Sequence, residues 1–363
     1  MHMYRDTQFA LLAVILGPLL SACEVPEGTH ITACEDVGEL RVVCGVQSPE
    51  DIVVVPGGEH LLLSEMGGME GGPGRIALFH VEDETWQTVF PLDTSSAPTA
   101  LAGDEQCADA PGVEFSPHGL HLVQLEDETW RFLVVNHGGR EAIELFDLIL
   151  SKEGPPELIW QGCVFPADNT FINDVVGLSN GDIVYTRMYQ PDDPTSVWRG
   201  MFGFQTGDVW RWSSETGPML LPGTEGSLTN GIQISADERY VFINQYIDQK
   251  VQKYDLNEEK EVASAAIANA DNSAWAPSGE LWLATHEMDA ATFLACTEDR
   301  NVTCGMAFNI VALDPDTMEH RVIFSHQGPP MGAATVAVPL DDKVYLGSFL
   351  GNRLLIAPMA MFN

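Results

Sequence analysis

One phrase recurs six times along this chain: a polar pair, a short apolar strand, a tight turn and a second apolar strand. It first runs from Glu50-Asp51 through Val55, turns at Pro56-Gly57-Gly58 and returns along Leu61 to Ser64. It reappears from Pro117-His118-Gly119 through Glu126-Asp127-Glu128 to Asn136, and from Asn173-Asp174 through Ser179-Asn180-Gly181 to Thr186. The later copies run from Asn230-Gly231 through Ala236-Asp237 to Asn244, from Asp271-Asn272 through Pro277-Ser278-Gly279 to Ala284, and from Ala334 through Leu340-Asp341-Asp342 to Ser348. Apolar runs broken by such turns read as β-hairpins. Hairpins spaced by 41 residues (Asn230 to Asp271) up to 68 (Glu50 to His118), with outer strands such as Arg75 to Val81 and Trp86 to Phe90 between them, are the signature of propeller blades. The chain therefore predicts an all-β, six-bladed β-propeller without long helices. Leu40 to Cys44 is placed to add a strand to the sixth blade and close the ring, which removes an open sheet edge.

In such a ring the innermost strand of each blade lines the central channel, and the first residues of those strands gather at one mouth. Those positions hold Glu50, Asp51, His118, Asn173, Asp174, Asn230, Asp271 and Asn272. Hard oxygen donors converging from several blades suit calcium, which takes six to eight of them. Zinc or copper would want histidine or cysteine among the direct ligands. Residues equidistant from a hairpin turn face each other. A second hairpin centred between Asp127 and Glu128 sets His118 opposite His137, and a fifth centred between Ser278 and Gly279 sets Asp271 opposite His286. A histidine pair beside a metal ring points to proton transfer.

Charge narrows the partners. Seventeen Lys and Arg face 53 Asp and Glu, a formal net charge of −36, and such a surface repels phosphate backbones, which excludes nucleic-acid binding. At the N-terminus, Arg5 precedes 12 largely apolar residues, Phe9 to Leu20, too few to span a bilayer but suited to a signal peptide. Leu20-Ser21-Ala22-Cys23 follows and resembles a bacterial lipobox, in which Cys23 is acylated. The expected layout is a lipoprotein signal peptide over residues 1–22, an anchor and linker over 23–39, and one propeller domain over 40–363. This describes an exported cell-envelope lipoprotein that meets the membrane through its lipid. Cysteine parity agrees: of 7 cysteines, lipidation of Cys23 leaves an even set. The short-loop pairing of that set is Cys34–Cys44, Cys107–Cys163 and Cys296–Cys304.

The stretches Ser116-Pro-His-Gly-Leu120, Leu133-Val-Val-Asn-His137, Glu141 to Asp147, Ile172-Asn-Asp174, Thr229-Asn-Gly-Ile232 and Ala270-Asp-Asn272 resemble the paraoxonase/arylesterase family. That family is a branch of the calcium-dependent propellers that include gluconolactonases. The likeness runs from about Glu50 to the final blade. It implies a calcium-dependent hydrolase of lactones or aryl esters with two ions. The catalytic calcium would be held by Glu50, Asn173, Asn230, Asp271 and Asn272. The structural one would be held by Asp51, Asp174 and the backbone carbonyl of Leu120. His118 would activate water with His137 as its relay, Asp271 being the other candidate base, and His286 would line the pocket.

The chain also departs from the family. Met188, beside Arg187, stands where the family has an aspartate, and Met66 to Gly74 is a glycine-rich segment in place of the flap that carries a pocket tyrosine. A long apolar insertion shrinks to Trp198, Met201, Phe202 and Phe204, and the C-terminal cysteine of the family's ring-closing disulfide is missing. A pocket lined by Trp198, Phe202 and Phe204 favours acyl or aryl substrates. Two other readings stand beside this one: a non-catalytic ligand-binding propeller with structural calcium, and a sugar-lactone hydrolase closer to gluconolactonase.

Overall fold

The computed structural model describes residues 30–67, 72–91, 102–151, 154–287, 292, 295–296 and 302–363. The expected signal segment, Cys23 and the middle of the Met66–Gly74 segment lie outside them.

Six sheets follow one another around a ring, each with three or four antiparallel strands in chain order from the axis outward. Blade one is Pro49–Val54, His60–Glu65, Arg75–His80 and Thr85–Phe90. Blade two is Pro117–Gln124, Trp130–Asn136, Ala142–Ile149 and Glu157–Val164, with Ala102–Gly103 added in parallel at its outer edge. Blade three starts at Phe171–Gly177, blade four at Thr229–Ile234, blade five at Ala270–Trp275 and blade six at Ala334–Leu340. The ring closes as anticipated, because Arg41–Cys44 pairs antiparallel with Arg353–Pro358 and supplies the fourth strand of blade six.

Apolar side chains on facing sheets interlock between blades. Phe90 of blade one meets Phe115 edge to face at 4.9 Å and Phe146 of blade two at 4.8 Å. The three anticipated disulfides are present: Cys34–Cys44, Cys107–Cys163 and Cys296–Cys304. Cys107–Cys163 closes the longest loop, 56 residues, and chain-entropy arguments assign such a closure about 4 kcal/mol. The buried guanidinium of Arg353 donates to the carbonyls of Ala33 and Pro330 at 2.5 and 3.0 Å, fixing the segment that leads into the closing strand.

Every inner strand is interrupted at the same place. In blade one Pro49 pairs with Glu65 and Ile52 with Leu63, so Glu50 and Asp51 together oppose Ser64. Likewise His118-Gly119 oppose Val135, Asn173-Asp174 oppose Thr186, Asn230-Gly231 oppose Asn244, and Asp271-Asn272 oppose Ala284. In blade six Thr335 alone is extra. Such bulges re-aim side chains and leave backbone groups unpaired. Ser64 Oγ and Thr186 Oγ1 accept the freed N–H groups of Asp51 and Asp174 at 2.9 and 3.0 Å.

The bulges correct the register expected from turn counting. His118 is not paired across the sheet with His137, since Asn136 pairs with Pro117 and Val134 with Leu120. Asp271 is not paired with His286 either, because Ala270 takes Thr285. An extra residue on one strand breaks the equidistance rule, although both pairs still come close.

Gly119 shows how tightly the bulges fit. A Cβ there would stand 2.5 Å from Asp174 Oδ1 and 2.7 Å from Asp174 Cα. Gly119→Ala is therefore expected to cost about 1–3 kcal/mol, as overpacked sites do. Chemical denaturation of the variant measures this, and an unchanged midpoint would mean that blades two and three are not held together at this contact.

Candidate active site and metal centre

The bulges deliver Glu50, Asp51, Asn173, Asp174, Asn230, Asp271 and Asn272 to one buried cluster on the axis. Two links repeat. Asp51 accepts the N–H of Ile52 at 2.8 Å and of Leu120 at 2.7 Å, and Asp174 accepts those of Val175 at 2.7 Å and Ile232 at 2.8 Å. Each aspartate thereby ties its own bulge to the next inner strand. Asn244 Nδ2 donates to the Asp271 carbonyl at 2.5 Å, Asn272 Nδ2 to Glu50 Oε1 at 2.7 Å, and Thr335 Oγ1 to the Glu50 carbonyl at 2.6 Å.

Asp51, Asp174 and Asp271 are costly to ionise as they stand. Burial first, then repulsion from Asp174 and Glu50, raises Asp51 well above the ordinary carboxylate value. Burial, with help from Glu50, pushes Asp174 up to about 7 against the pull of the Ile232 and Val175 N–H groups. Asp271 is raised by burial, Glu50 and Asp174. Among the described residues none of the four acids is ion-paired to a lysine or arginine. Buried charges of one sign need a compensating cation.

Three buried oxygens could serve as ligands to such a cation. Glu50 Oε2, Asn173 Oδ1 and Asn230 Oδ1 have no hydrogen-bond partner. Buried polar atoms are nearly always satisfied, and an all-oxygen donor set with mixed carboxylates and amides suits calcium. The Asn173 amide is oriented for this role, because its Nδ2 rests on Met188 Sδ at 3.9 Å and leaves Oδ1 free. Below Asp51 and Asp174 the axis widens into a cavity of about 610 Å³, lined by Leu122, Trp130, Trp275 and Leu340 and open toward the opposite mouth.

The histidines stand beside this cluster. His118 Nδ1 lies 2.8 Å from His137 Nε2, and His118 Nε2 lies 3.5 Å from Glu50 Oε1. Burial opposes a charge on His118, but Glu50, Asp174 and Glu141 outweigh it and hold its pKa above the ordinary value. His137 is stacked on Phe171 at 4.1 Å, and Phe171 on Tyr189 at 4.6 Å. Its Nδ1 meets Glu141 Oε2 at 2.8 Å. His286 is 3.7 Å from Asp271, yet both of its nitrogens are engaged: Nε2 donates to Ala334 O at 2.9 Å and Nδ1 accepts from Tyr246 OH at 2.8 Å. Burial pushes its pKa down to about 4, so it sits neutral.

Trp198, Phe202 and Phe204 do not close over the axial cluster. They lie on and just after the helix Ser196–Met201, and they are 64, 77 and 57% exposed. The helix is six residues long and buries only Ser196 and Gly200, so it leaves these rings outward. Glu141, Tyr246 and Thr335 were not legible as site residues. Glu141 belongs to a turn of no fixed motif, Tyr246 acts only through His286, and Thr335 sits in the blade with the shortest bulge.

Fold and site together define a six-bladed propeller with a buried acidic axis flanked by a histidine pair at one mouth. The chain belongs to the arylesterase family, whose model matches residues 48–356. Serum paraoxonase/arylesterase 1 of Mus musculus is 24% identical over 230 residues, which cover 61% of this chain and 62% of that relative's length. A gluconolactonase structure from Xanthomonas campestris superposes with a TM-score of 0.51 at 16% identity, covering 93% of this chain and 95% of its own. The calcium-binding protein regucalcin from Agrobacterium tumefaciens does so with 0.50 at 10%, covering 90 and 93%. These two likenesses speak for the fold.

The clustered acids yield a stability prediction with a definite sign. Asp271→Asn removes one of the mutually repelling charges and should raise the melting temperature in chelator while shrinking the increment that calcium adds. Thermal melts of both proteins with EDTA and with calcium measure this. A lower melting temperature in EDTA, with the calcium increment intact, would place the cation elsewhere.

Proposed function

We propose that this chain hydrolyses lactones or aryl esters at the axial site in a calcium-dependent manner. The observation that carries the reading is the meeting of three unpartnered buried oxygens with a hydrogen-bonded histidine pair, His118 being 3.5 Å from Glu50, which supplies one of those oxygens. Glu50, Asn173, Asn230, Asp271 and Asn272 would hold one calcium. Asp51 and Asp174, with the Leu120 carbonyl, would hold a second that ties the blades together. When bound, the first ion supplies a Lewis acid for the substrate carbonyl and a counter-charge for the oxyanion.

The protein's own groups do the rest. His118 accepts the proton of the attacking water, and His137 shares the charge across the 2.8 Å bond. Asp271 is the alternative acceptor. Phe171 and Tyr189 keep the His137 ring in one plane. Neutral His286 donates to Ala334 O and walls the axis as a ring rather than as a charge. Trp198, Phe202 and Phe204 follow the strand that ends at Tyr189, at the same mouth, and would meet the acyl or aryl part of a substrate. Family membership and the mouse relative's name support an ester as substrate. Export as a lipoprotein is part of the proposal. All the cysteines but Cys23 pair within the fold, which leaves that one for acylation.

The test is hydrolysis of phenyl acetate and of γ- and δ-lactones by residues 24–363, with calcium and then with EDTA. Turnover should vanish on chelation and return with calcium. His118→Gln should lower turnover about 10²–10⁴-fold, the range for a lost general base, with calcium uptake unchanged. Turnover unaffected by His118→Gln would remove the histidine pair from the mechanism, and no turnover with calcium bound would favour a binding propeller.

A further inference from the structure

We infer that Glu141 is a positioning residue that fixes the tautomer of both histidines and so decides which nitrogen faces the axis. This rests on the hydrolase reading only in taking His118 as the proton acceptor. Glu141 is held at both ends. Its Oε1 accepts the backbone N–H of Ile172 at 2.6 Å, and its Oε2 lies 2.8 Å from His137 Nδ1. A carboxylate accepts hydrogen bonds and donates none. His137 Nδ1 therefore carries the ring hydrogen, which leaves a lone pair on His137 Nε2. That lone pair faces His118 Nδ1 at 2.8 Å, so His118 must donate from Nδ1. The consequence falls on His118 Nε2, which is left with its lone pair directed at the axial cluster, 3.5 Å from Glu50 Oε1. With the opposite tautomer the same nitrogen would carry a hydrogen and could not take a proton from water.

Local chain geometry makes this contact possible. Between His137 and Glu141 the chain reverses through Gly138 and Gly139. A Cβ on Gly138 would stand 1.5 Å from the Glu114 carbonyl, and Gly139 has φ +74°, so glycine is required at the first and favoured at the second. The reversal returns Glu141 to the side of His137 just before the strand Ala142–Ile149 begins. Ile172 immediately precedes Asn173, so one carboxylate aligns the histidines of blade two with the donor strand of blade three. The His137 ring cannot swing away, because it is stacked on Phe171 at 10° between planes. Orientation of a catalytic imidazole by a fixed acceptor is a general device.

Glu141→Gln is a sharp probe, because the Ile172 N–H still requires the amide oxygen. The NH₂ group is then left facing His137 Nδ1, which must accept, and the hydrogens of both rings move to Nε2. Two-bond ¹H–¹⁵N correlation spectra should show Nδ1–H at His118 and His137 in the native chain and Nε2–H at both in the variant. Turnover of phenyl acetate should fall about 10- to 100-fold through kcat, with KM and calcium uptake unchanged. Glu141→Asp, which keeps an acceptor, should retain the native tautomers. In a His118→Gln background Glu141→Gln should add no further loss. Unchanged tautomers in Glu141→Gln, or losses that multiply with His118→Gln, would overturn the inference. If the native chain hydrolyses none of the esters, the hydrolase reading falls, while the spectra still decide the tautomer assignment.

Discussion

Four acidic side chains, Glu50, Asp51, Asp174 and Asp271, are buried around one axis, and the described residues offer them no lysine or arginine. Electrostatics alone would drive such a group apart or leave it protonated. Its persistence depends on two devices. Backbone N–H groups from neighbouring blades take up the outer lone pairs of Asp51 and Asp174. Glu50 Oε2, Asn173 Oδ1 and Asn230 Oδ1 are left buried without a partner, as donors that a hard cation would satisfy. The propeller is thus organised from its centre outward: the interaction that would bind a metal also links the blades.

The β-bulge makes this centre possible. A regular strand alternates its side chains, so two consecutive residues could not both serve the axis. An extra residue in the inner strand brings such a pair there from blades one, three and five, and the hydroxyls of Ser64 and Thr186 satisfy the N–H groups that the bulge strands. Proximity to the bulges also places His118 against both His137 and Glu50, so the fold's irregularity and its candidate chemistry share one origin.

Most of the architecture was legible in the sequence because its signals are local. Turn residues such as Pro56-Gly57-Gly58 and Pro277-Ser278-Gly279 mark hairpins wherever they occur, and the recurrence of polar residues at the start of the hairpins reveals both the blades and the axial donors. Short loops were enough to pair Cys34 with Cys44 and Cys296 with Cys304. What escaped depends on long-range placement. A bulge changes register without a fixed composition, so His118 could be associated with His137 but not correctly paired with it. Glu141 becomes significant only when its second oxygen meets Ile172 of the next blade. The exposure of Trp198 and Phe202 depends on how a short helix settles, which their apolar character does not reveal.

If the axial acids are arranged around divalent cations, equilibrium dialysis of the chelated, folded chain against radioactive calcium should show saturable uptake of two ions per chain, with no comparable uptake of zinc. A chain that stays folded and takes up no calcium would contradict that arrangement, and would mean that burial keeps Asp51, Asp174 and Asp271 protonated instead.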